Sequence, residues 1–190
     1  MVELKYKILS LLIEHKFEEF SIREISQKLK VDYKNTYQAV QKIQNSISIS
    51  KKSKSSFLSF KPTLTLDLFI TEYQRRAFLE SKLSLLLKDI RSVENPFFIP
   101  IIFGSYAKQT QNKHSDIDLC IIYDTEAGIK PLLQKLAIHP KVEIHTFSYE
   151  EFISMIKVTD FSVGREIILH GIVLKNIESY YEVLKHGFRS

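Results

Sequence analysis

Apolar residues recur at helical spacing at the N-terminus of the chain. Those between residues 3 and 15 fall on one face and predict a first helix. Ser21 followed by Glu24 has the form of a capping box, which predicts that a second helix starts there. Asp32 is placed to cap a third helix that continues to about Gln44. The pattern therefore indicates three helices in close succession.

The third predicted helix has one apolar face and one polar face. Tyr37, Val40 and Ile43 are expected to pack inward, while the other face carries amide and lysine side chains. After this helix, short runs at 47–50 and 57–60 alternate apolar and polar residues, which predicts two strands joined by a basic turn. The N-terminal part is thus predicted to contain three helices followed by a hairpin.

The remainder of the chain predicts a mixture of strands and helices. A broad apolar face from Thr71 to about Ser92 predicts one continuous helix. Apolar runs rich in β-branched and aromatic residues at 97–103 and 117–123 predict buried strands, and strict alternation over 141–147 predicts a third strand. Further helices are predicted over residues 127–138, 149–156 and 176–186, with a helix, a turn and a short strand over 161–175.

The composition is that of a globular protein, with 44% hydrophobic and 26% charged residues among 190. The sequence has no run of about 18 uncharged apolar residues, and its N-terminus is too charged to lead a secretory signal, so neither a membrane span nor export is expected. The single cysteine, Cys120, lies in a predicted strand, where a small buried hydrophobe is the favoured interpretation. Without a disulfide framework, the expected location is the reducing cytoplasm.

The positive charge of the chain is concentrated near the N-terminus. Residues 1–65 contain 12 lysine and arginine residues against 6 acidic ones, whereas residues 66–190 contain 15 against 16. Such an asymmetry suggests that the first part meets a polyanion while the rest has another task. We therefore expect two domains with a boundary between residues 65 and 66.

Two polar motifs stand at the ends of the buried strands. Gly104-Ser105 closes the first strand, and Asp116-Ile117-Asp118 opens the second after ten intervening residues. Residues two apart on a strand project to one side, so the two aspartates are expected to lie together, which is costly unless a cation sits between them. Hard oxygen ligands suit Mg²⁺, and a glycine lets the backbone approach a ligand closely. Together the motifs predict a site for a nucleoside triphosphate.

This arrangement resembles the nucleotidyltransferase superfamily related to DNA polymerase β, and within it the minimal nucleotidyltransferases. The resemblance implies a domain with a small mixed β-sheet flanked by helices, and one or two Mg²⁺ ions held by catalytic aspartates. Asp116 and Asp118 match those positions, and Glu143 on the third predicted strand is the candidate for the third carboxylate. Glu143 would complete the metal site or accept a proton from the attacking hydroxyl.

The resemblance also implies which residues would bind the nucleotide. They are Gly104, Ser105, Lys108 and Ser115. Many members of the family continue after Gly-Ser with x-Ala-Arg-Gly, whereas this chain has Lys108 and Gln109 in place of the arginine and glycine. The positive charge is therefore kept, but the bidentate geometry of a guanidinium is lost.

Other polar residues near these motifs are expected to have structural rather than catalytic roles. His145 shares a strand face with Glu143, where it would contact the nucleotide or cover the sheet, and the second is favoured. His114 is expected to be a surface residue. The segment from Glu166 to Leu174 is similar to the closing segment of minimal nucleotidyltransferases. The role of that segment is mostly structural, so Arg165 and Glu166 are only weak site candidates.

The N-terminal order of helices and hairpin resembles the winged helix-turn-helix family over about residues 1–62. In that family the third helix enters the major groove of DNA and the wing follows the phosphate backbone. Competing interpretations are a solvated helix face with a soluble loop tip, and a protein docking module. The residues that the resemblance places against bases or phosphates are Tyr33, Lys34, Asn35, Gln38 and Lys42 on the helix and Lys51, Lys52 and Lys54 in the wing.

The expected fold class is α+β, with a winged helix-turn-helix domain at 1–65 and a nucleotidyltransferase domain at 66–190. The expected function is Mg²⁺-dependent transfer of a nucleoside monophosphate from a nucleoside triphosphate, with ATP the expected donor, to a hydroxyl of a protein, an RNA or a small molecule. Minimal nucleotidyltransferases that act as antitoxins suggest a toxin as partner protein. The alternative is a regulator that binds double-stranded DNA and whose second domain senses nucleotide or forms a homodimer.

Overall fold

The computed structural model describes residues 2–52, 55–94, 98–157 and 163–188. The chain divides into two compact units, Met1–Gln74 and Arg75–Ser190, and the division falls inside one helix, Leu66–Lys82 (α4). Lys54, which the sequence assigns to the wing, lies outside the described residues. None of the helices in the described parts of the chain is both long enough and apolar enough to cross a bilayer.

The N-terminal unit contains helices and a small antiparallel sheet. Its three strands lie in the order β1-β3-β2, so the last of these three along the chain, β3, is central and pairs with both others. A single turn of 3₁₀ helix at Gln44–Ser46 leads from the last helix into the hairpin. The elements are α1 (Leu4–Glu14), β1 (Glu19–Ser21), α2 (Ile22–Leu29), α3 (Tyr33–Lys42), β2 (Ile47–Lys52) and β3 (Ser55–Phe60).

The predicted caps of α2 and α3 are confirmed. The Ser21 hydroxyl accepts a hydrogen bond from the Glu24 amide, and the Glu24 carboxylate accepts one from the Ser21 amide at 2.7 Å, which completes the capping box. Asp32 accepts a hydrogen bond from the amide of Asn35 at 2.9 Å. Because these bonds satisfy amides that have no partner within a helix, the helix starts are encoded locally.

The packing of α3 differs from the prediction at one position. Tyr37 is 46% exposed, whereas Thr36 is fully buried beside Val40 and Ile43 on the inward face. Thr36 can be buried because its hydroxyl donates a hydrogen bond to the carbonyl of Asp32 at 2.9 Å, which satisfies the only polar group of the side chain. The prediction that Tyr37 packs inward was therefore wrong.

The C-terminal unit is built on a four-stranded mixed sheet in the order β6-β5-β4-β7. Strands β5 and β6 run parallel, and the other two pairs are antiparallel. The α+β class is confirmed. The elements that follow α4 are α5 (Ser84–Ser92), β4 (Phe98–Ile102), α6 (Gly104–Ala107), β5 (Ile117–Tyr123), α7 (Glu126–Leu136), β6 (Val142–Ser148), α8 (Tyr149–Lys157), α9 (Val163–His170), β7 (Ile172–Val173) and α10 (Ile177–Phe188).

The helix predicted from Thr71 to Ser92 is two helices. Helix α4 ends at Lys82 and α5 begins at Ser84, because the backbone of Leu83 leaves the helical conformation at φ −124° and ψ 30°. Leu83 is nevertheless buried in the same hydrophobic core as Leu79 and Leu87. Since the apolar spacing continues across the break, the sequence pattern contains no sign of it.

The core of the C-terminal unit holds the two central strands in place. All five residues of β4 are buried, as are Ile117, Leu119 and Ile121 of β5. Asp118 lies between two of these buried residues and points to the other face of the sheet, where it is partly exposed. The burial on one face therefore fixes the direction of the carboxylate on the opposite one.

Candidate active site

The turn after β4 brings the backbone at Gly104 into contact with the carboxylate of Asp118. The amide of Phe103 donates a hydrogen bond to the carbonyl of Asp118 at 3.0 Å, which brings the two chain segments together. Gly104 follows with φ +63°, a conformation that glycine adopts without cost. A Cβ at this position would overlap Oδ2 of Asp118 and lie 2.7 Å from its Cγ. The glycine is therefore required both for the turn and for the space that the carboxylate occupies.

The parallel pairing of β5 and β6 brings a second carboxylate to the same place. Asp118 is in register with Glu143, and His145 follows two residues later on the same face of β6. One ligand atom from each of these three residues lies within 4.8 Å of the other two. Two carboxylates and an imidazole therefore converge on one small region beside the Gly104 turn.

The electrostatics of this region favour a cation. Burial raises the pKa of the Asp118 carboxyl above its usual range, and the Glu143 carboxylate raises that pKa further, while His145 acts in the opposite direction. Glu166 of α9 adds to the increase. The ionised form of Asp118 is thus disfavoured by its own surroundings, and a bound divalent ion would relieve the repulsion.

His145 is held in a defined orientation. Its Nε2 lies 3.4 Å from Oε1 of Glu143, and its ring packs edge-on against Phe103 with centroids 5.3 Å apart. The sequence interpretation favoured a covering role for this histidine, but the structure groups it with the acidic residues. The alternation along β6 already placed His145 on the face of Glu143, and only the pairing with β5 shows that this face meets Asp118.

Asp116 is in a different environment from Asp118. It directly precedes β5, its side chain is exposed, and it is not among the three described residues that meet the distance of 4.8 Å. Ser115 next to it closes the preceding loop, because its Oγ accepts a hydrogen bond from the amide of Asn112 at 2.9 Å. The structure therefore places Asp116 at the end of an ordered turn and does not group it with Asp118, although the sequence predicted that the two aspartates lie together.

Lys108 is paired with a residue from a distant part of the unit. Its Nζ lies 2.6 Å from Oε1 of Glu166 on α9. Ser105 and Lys108 both belong to the turn that Gly104 begins, and the amide of Lys108 donates a hydrogen bond to the carbonyl of Gly104 at 3.1 Å. Gln109, which replaces the glycine of the family pattern, has φ +58°, in the left-handed region.

The ligand set fits a divalent metal ion. The carboxylates of Asp118 and Glu143 are hard oxygen donors of the kind that Mg²⁺ prefers. The imidazole of His145 adds a nitrogen donor, which is more typical of sites for transition metals. These side chains can therefore hold Mg²⁺ through oxygen and offer a further nitrogen ligand.

The residues assigned to DNA contact are at the surface of the N-terminal unit. The side chains of the five α3 candidates are exposed; they are Tyr33, Lys34, Asn35, Gln38 and Lys42. The side-chain amide of Asn35 donates a hydrogen bond to the Asp32 carboxylate at 2.5 Å, so this side chain is engaged in the cap of its own helix. Lys51 is exposed on β2, and Lys52 forms an ion pair of 2.5 Å with Glu19 of β1.

The C-terminal unit thus combines a small mixed sheet with carboxylates beside a glycine turn. The family model described as "Polymerase beta, Nucleotidyltransferase" matches residues 86–180, which are 95 of the 190 residues. The chain belongs to this family.

The chain is also similar to a solved structure described as "Crystal structure of the toxin-antitoxin with AMP-PNP", with 18% sequence identity and a TM-score of 0.39. The similarity covers 56% of this chain and 83% of the other. No curated protein matches the sequence.

Proposed function

We propose that the C-terminal unit transfers a nucleoside monophosphate from a nucleoside triphosphate, with ATP the expected donor, to a hydroxyl group. The observation that carries this proposal is the convergence of Asp118, Glu143 and His145 beside the Gly104 turn. The match of residues 86–180 to the nucleotidyltransferase family supports the same reaction class. The acceptor is a hydroxyl of a protein, an RNA or a small molecule.

The residues of the site divide into two tasks. Asp118 and Glu143, together with Asp116 directly before β5, would hold Mg²⁺, which when bound neutralises the charge of the triphosphate. The backbone at Gly104, the Ser105 hydroxyl and amide, and the Lys108 ammonium would bind the β and γ phosphates, with Ser115 at the edge of the loop. Positioning and charge neutralisation provide most of the catalysis in phosphoryl transfer.

The proton of the attacking hydroxyl needs an acceptor, and Glu143 is suited to this task. Its side chain is 61% exposed, so a substrate hydroxyl can reach the carboxylate without rearrangement of the sheet. Asp118 is more enclosed, because it lies between buried residues of β5 and against the Gly104 turn. Glu143 therefore either completes the metal site or accepts this proton.

The experiment that tests the proposal follows label from nucleotide to product. The protein is incubated with Mg²⁺ and ATP, GTP, CTP or UTP labelled at the α phosphate, and label is sought on protein, RNA and small molecules. Asp118→Asn is expected to abolish transfer. Asp124→Asn is the matched control, because Asp124 is exposed just beyond the opposite end of the same strand.

The distribution of label distinguishes the acceptors. Label on a protein band would indicate a protein acceptor, such as a partner toxin, while label on RNA or on a small molecule would indicate the other two classes. Two results together would refute the enzymatic proposal. One is the absence of transfer with all four nucleotides, and the other is nucleotide binding by the Asp118 variant that is indistinguishable from wild type. They would favour a DNA-binding regulator whose second domain is a nucleotide sensor or a dimerisation module.

For the N-terminal unit we propose a winged helix that binds double-stranded DNA through α3 and the β2–β3 hairpin. The order of helices and hairpin supports this assignment, as do the exposed polar face of α3 and the excess of lysine in this part of the chain. Asn and Gln side chains can bind adenine edges, and each lysine adds a salt-sensitive interaction with phosphate. The hairpin would then follow the phosphate backbone through Lys51, Lys52 and Lys54.

A further inference from the structure

Lys108 is held by a carboxylate from a distant segment. Its Nζ lies 2.6 Å from Oε1 of Glu166, although 58 residues separate the two in the sequence. Lys108 directly follows the short helix α6 that begins at Gly104, whereas Glu166 lies in α9. The ion pair therefore connects the proposed phosphate-binding turn to another helix of the same unit.

Helix α9 is a rigid support for this carboxylate. Ile167 and Ile168, which follow Glu166, are buried in the unit. On the same helix, Gly164 packs so tightly against Met155 of α8 that a Cβ at Gly164 would lie 2.9 Å from the Cβ of Met155. The backbone that carries Glu166 is therefore fixed by packing, and the ion pair restricts a flexible lysine side chain that would otherwise sample many rotamers.

The ion pair lies next to the turn that contacts Asp118. Lys108 directly follows α6, and the first residue of α6, Gly104, lies against the Asp118 carboxylate. Glu166 therefore holds the ammonium at the end of this turn. An ammonium has three donors, and the bond to Glu166 uses one of them, which leaves donors for phosphate oxygens.

We propose that Glu166 is a positioning residue that holds the Lys108 ammonium where it meets the β and γ phosphates of the nucleotide. This inference rests on the proposed nucleotidyltransferase function. The side chains of Lys108 and Glu166 are 40% and 27% exposed, and partly exposed ion pairs contribute little to the stability of a fold. The ion pair therefore acts mainly by restricting the Lys108 side chain before nucleotide binds.

The test compares the affinities for ATP and AMP, measured by calorimetry in Mg²⁺, because only ATP has β and γ phosphates. Glu166→Gln is expected to weaken ATP binding about 3- to 10-fold, the cost of ordering one long side chain, and to leave AMP binding unchanged. Glu166→Asp should retain most of the ATP affinity. The double variant Glu166→Gln/Lys108→Ala should bind ATP as Lys108→Ala does, because Glu166 acts through Lys108.

The control is Glu182→Gln, which breaks an exposed ion pair with Lys185 of 3.1 Å on α10 and should change neither affinity. Thermal unfolding of the Glu166 variant should match wild type. Unchanged or tighter ATP binding by Glu166→Gln would overturn the inference, as would equal losses for ATP and AMP. Failure of the wild type itself to bind ATP would overturn the proposed function, and this inference with it.

Discussion

The carboxylate of Asp118 occupies the space that a side chain at Gly104 would fill. The two residues lie at the ends of adjacent strands, and the hydrogen bond from the Phe103 amide to the Asp118 carbonyl sets their separation. A glycine at φ +63° is thus the condition for placing backbone amides and the proposed metal-binding carboxylate side by side. The proposed reaction depends on this close approach, because phosphate and metal ion must be bound together.

Gly104→Ala is therefore expected to damage both stability and activity. The left-handed backbone and the overlap with Asp118 should lower the free energy of unfolding by about 1–3 kcal/mol. Displacement of the carboxylate should lower nucleotidyl transfer about 100-fold or more. Thermal unfolding and the labelled-nucleotide assay measure the two effects.

A double variant separates the overlap from the backbone strain. In the Asp118→Ala background the Cβ of residue 118 remains 3.3 Å from a Cβ at residue 104, a tight but tolerable distance. Gly104→Ala should then cost less stability than it does in the wild type. An equal cost in both backgrounds would show that the carboxylate is not the obstacle.

The raised pKa of Asp118 predicts a pH-dependent effect of Asp118→Asn on the metal-free protein. Because the folded state binds this proton more tightly than the unfolded chain, the contribution of Asp118 to stability is full below the unfolded pKa of about 3.9 and is lost as pH rises through the higher folded value. Asp118→Asn should therefore unfold at a higher temperature than wild type at neutral pH, and the difference should vanish in acid.

The measurement is thermal unfolding across a pH series in the presence of a chelator. Glu143 and Glu166 carry charges that oppose ionisation of Asp118 and so raise its pKa. A lower unfolding temperature for Asp118→Asn at neutral pH would contradict the assigned direction of the pKa.

His145→Asn is expected to change the preference of the site among metal ions. Loss of the imidazole nitrogen should weaken Mn²⁺ binding about 10-fold and change Mg²⁺ binding much less, because Mg²⁺ prefers oxygen ligands. Glu143→Gln should weaken both. Calorimetric titration of each ion measures the difference, and His139→Asn, which breaks a separate interaction with Asp89 of 2.7 Å, is the control. Equal losses for both ions would remove His145 from the ligand set.

Gln109→Gly is expected to stabilise the protein. Gln109 has φ +58°, where a residue with a Cβ is strained by about 1 kcal/mol, and glycine relieves that strain at some entropic cost. The free energy of unfolding should rise by about 0.5 kcal/mol. Lys130→Gly, inside helix α7, is the opposite control and should lower stability by about 1 kcal/mol. Denaturant titration compares the two.

The proposed wing predicts DNA binding that falls steeply with salt. Replacement of Lys51, Lys52 and Lys54 by alanine should weaken binding about 10-fold, and the slope of log affinity against log salt should decrease by about one for each phosphate that is no longer neutralised. Fluorescence anisotropy with duplex DNA measures both. Lys88→Ala/Lys130→Ala removes exposed charge from the other unit and should have little effect. Unchanged binding by the wing variant would exclude the hairpin from the interface.

Local patterns were sufficient for most of the elements of this chain. The capping box at Ser21, the cap at Asp32 and the strand at Ile117–Tyr123 follow from neighbouring residues alone, since each depends on interactions within a few positions. The break between α4 and α5 at Leu83 cannot be predicted from neighbouring residues, because the apolar spacing is the same on both sides of it. The spacing of Gly104-Ser105 and Asp116-Ile117-Asp118 was enough to indicate the family.

The sequence by itself determined the starts of α2 and α3, the alternation of the strands and the motif that indicates the family, because these are encoded by residues close together in the chain. Only the tertiary structure decided which side chains share the site. The parallel register of β5 and β6 brings His145 to Asp118, and the packing of α9 brings Glu166 to Lys108. Both interactions join residues far apart in sequence, and their positions depend on how whole elements pack.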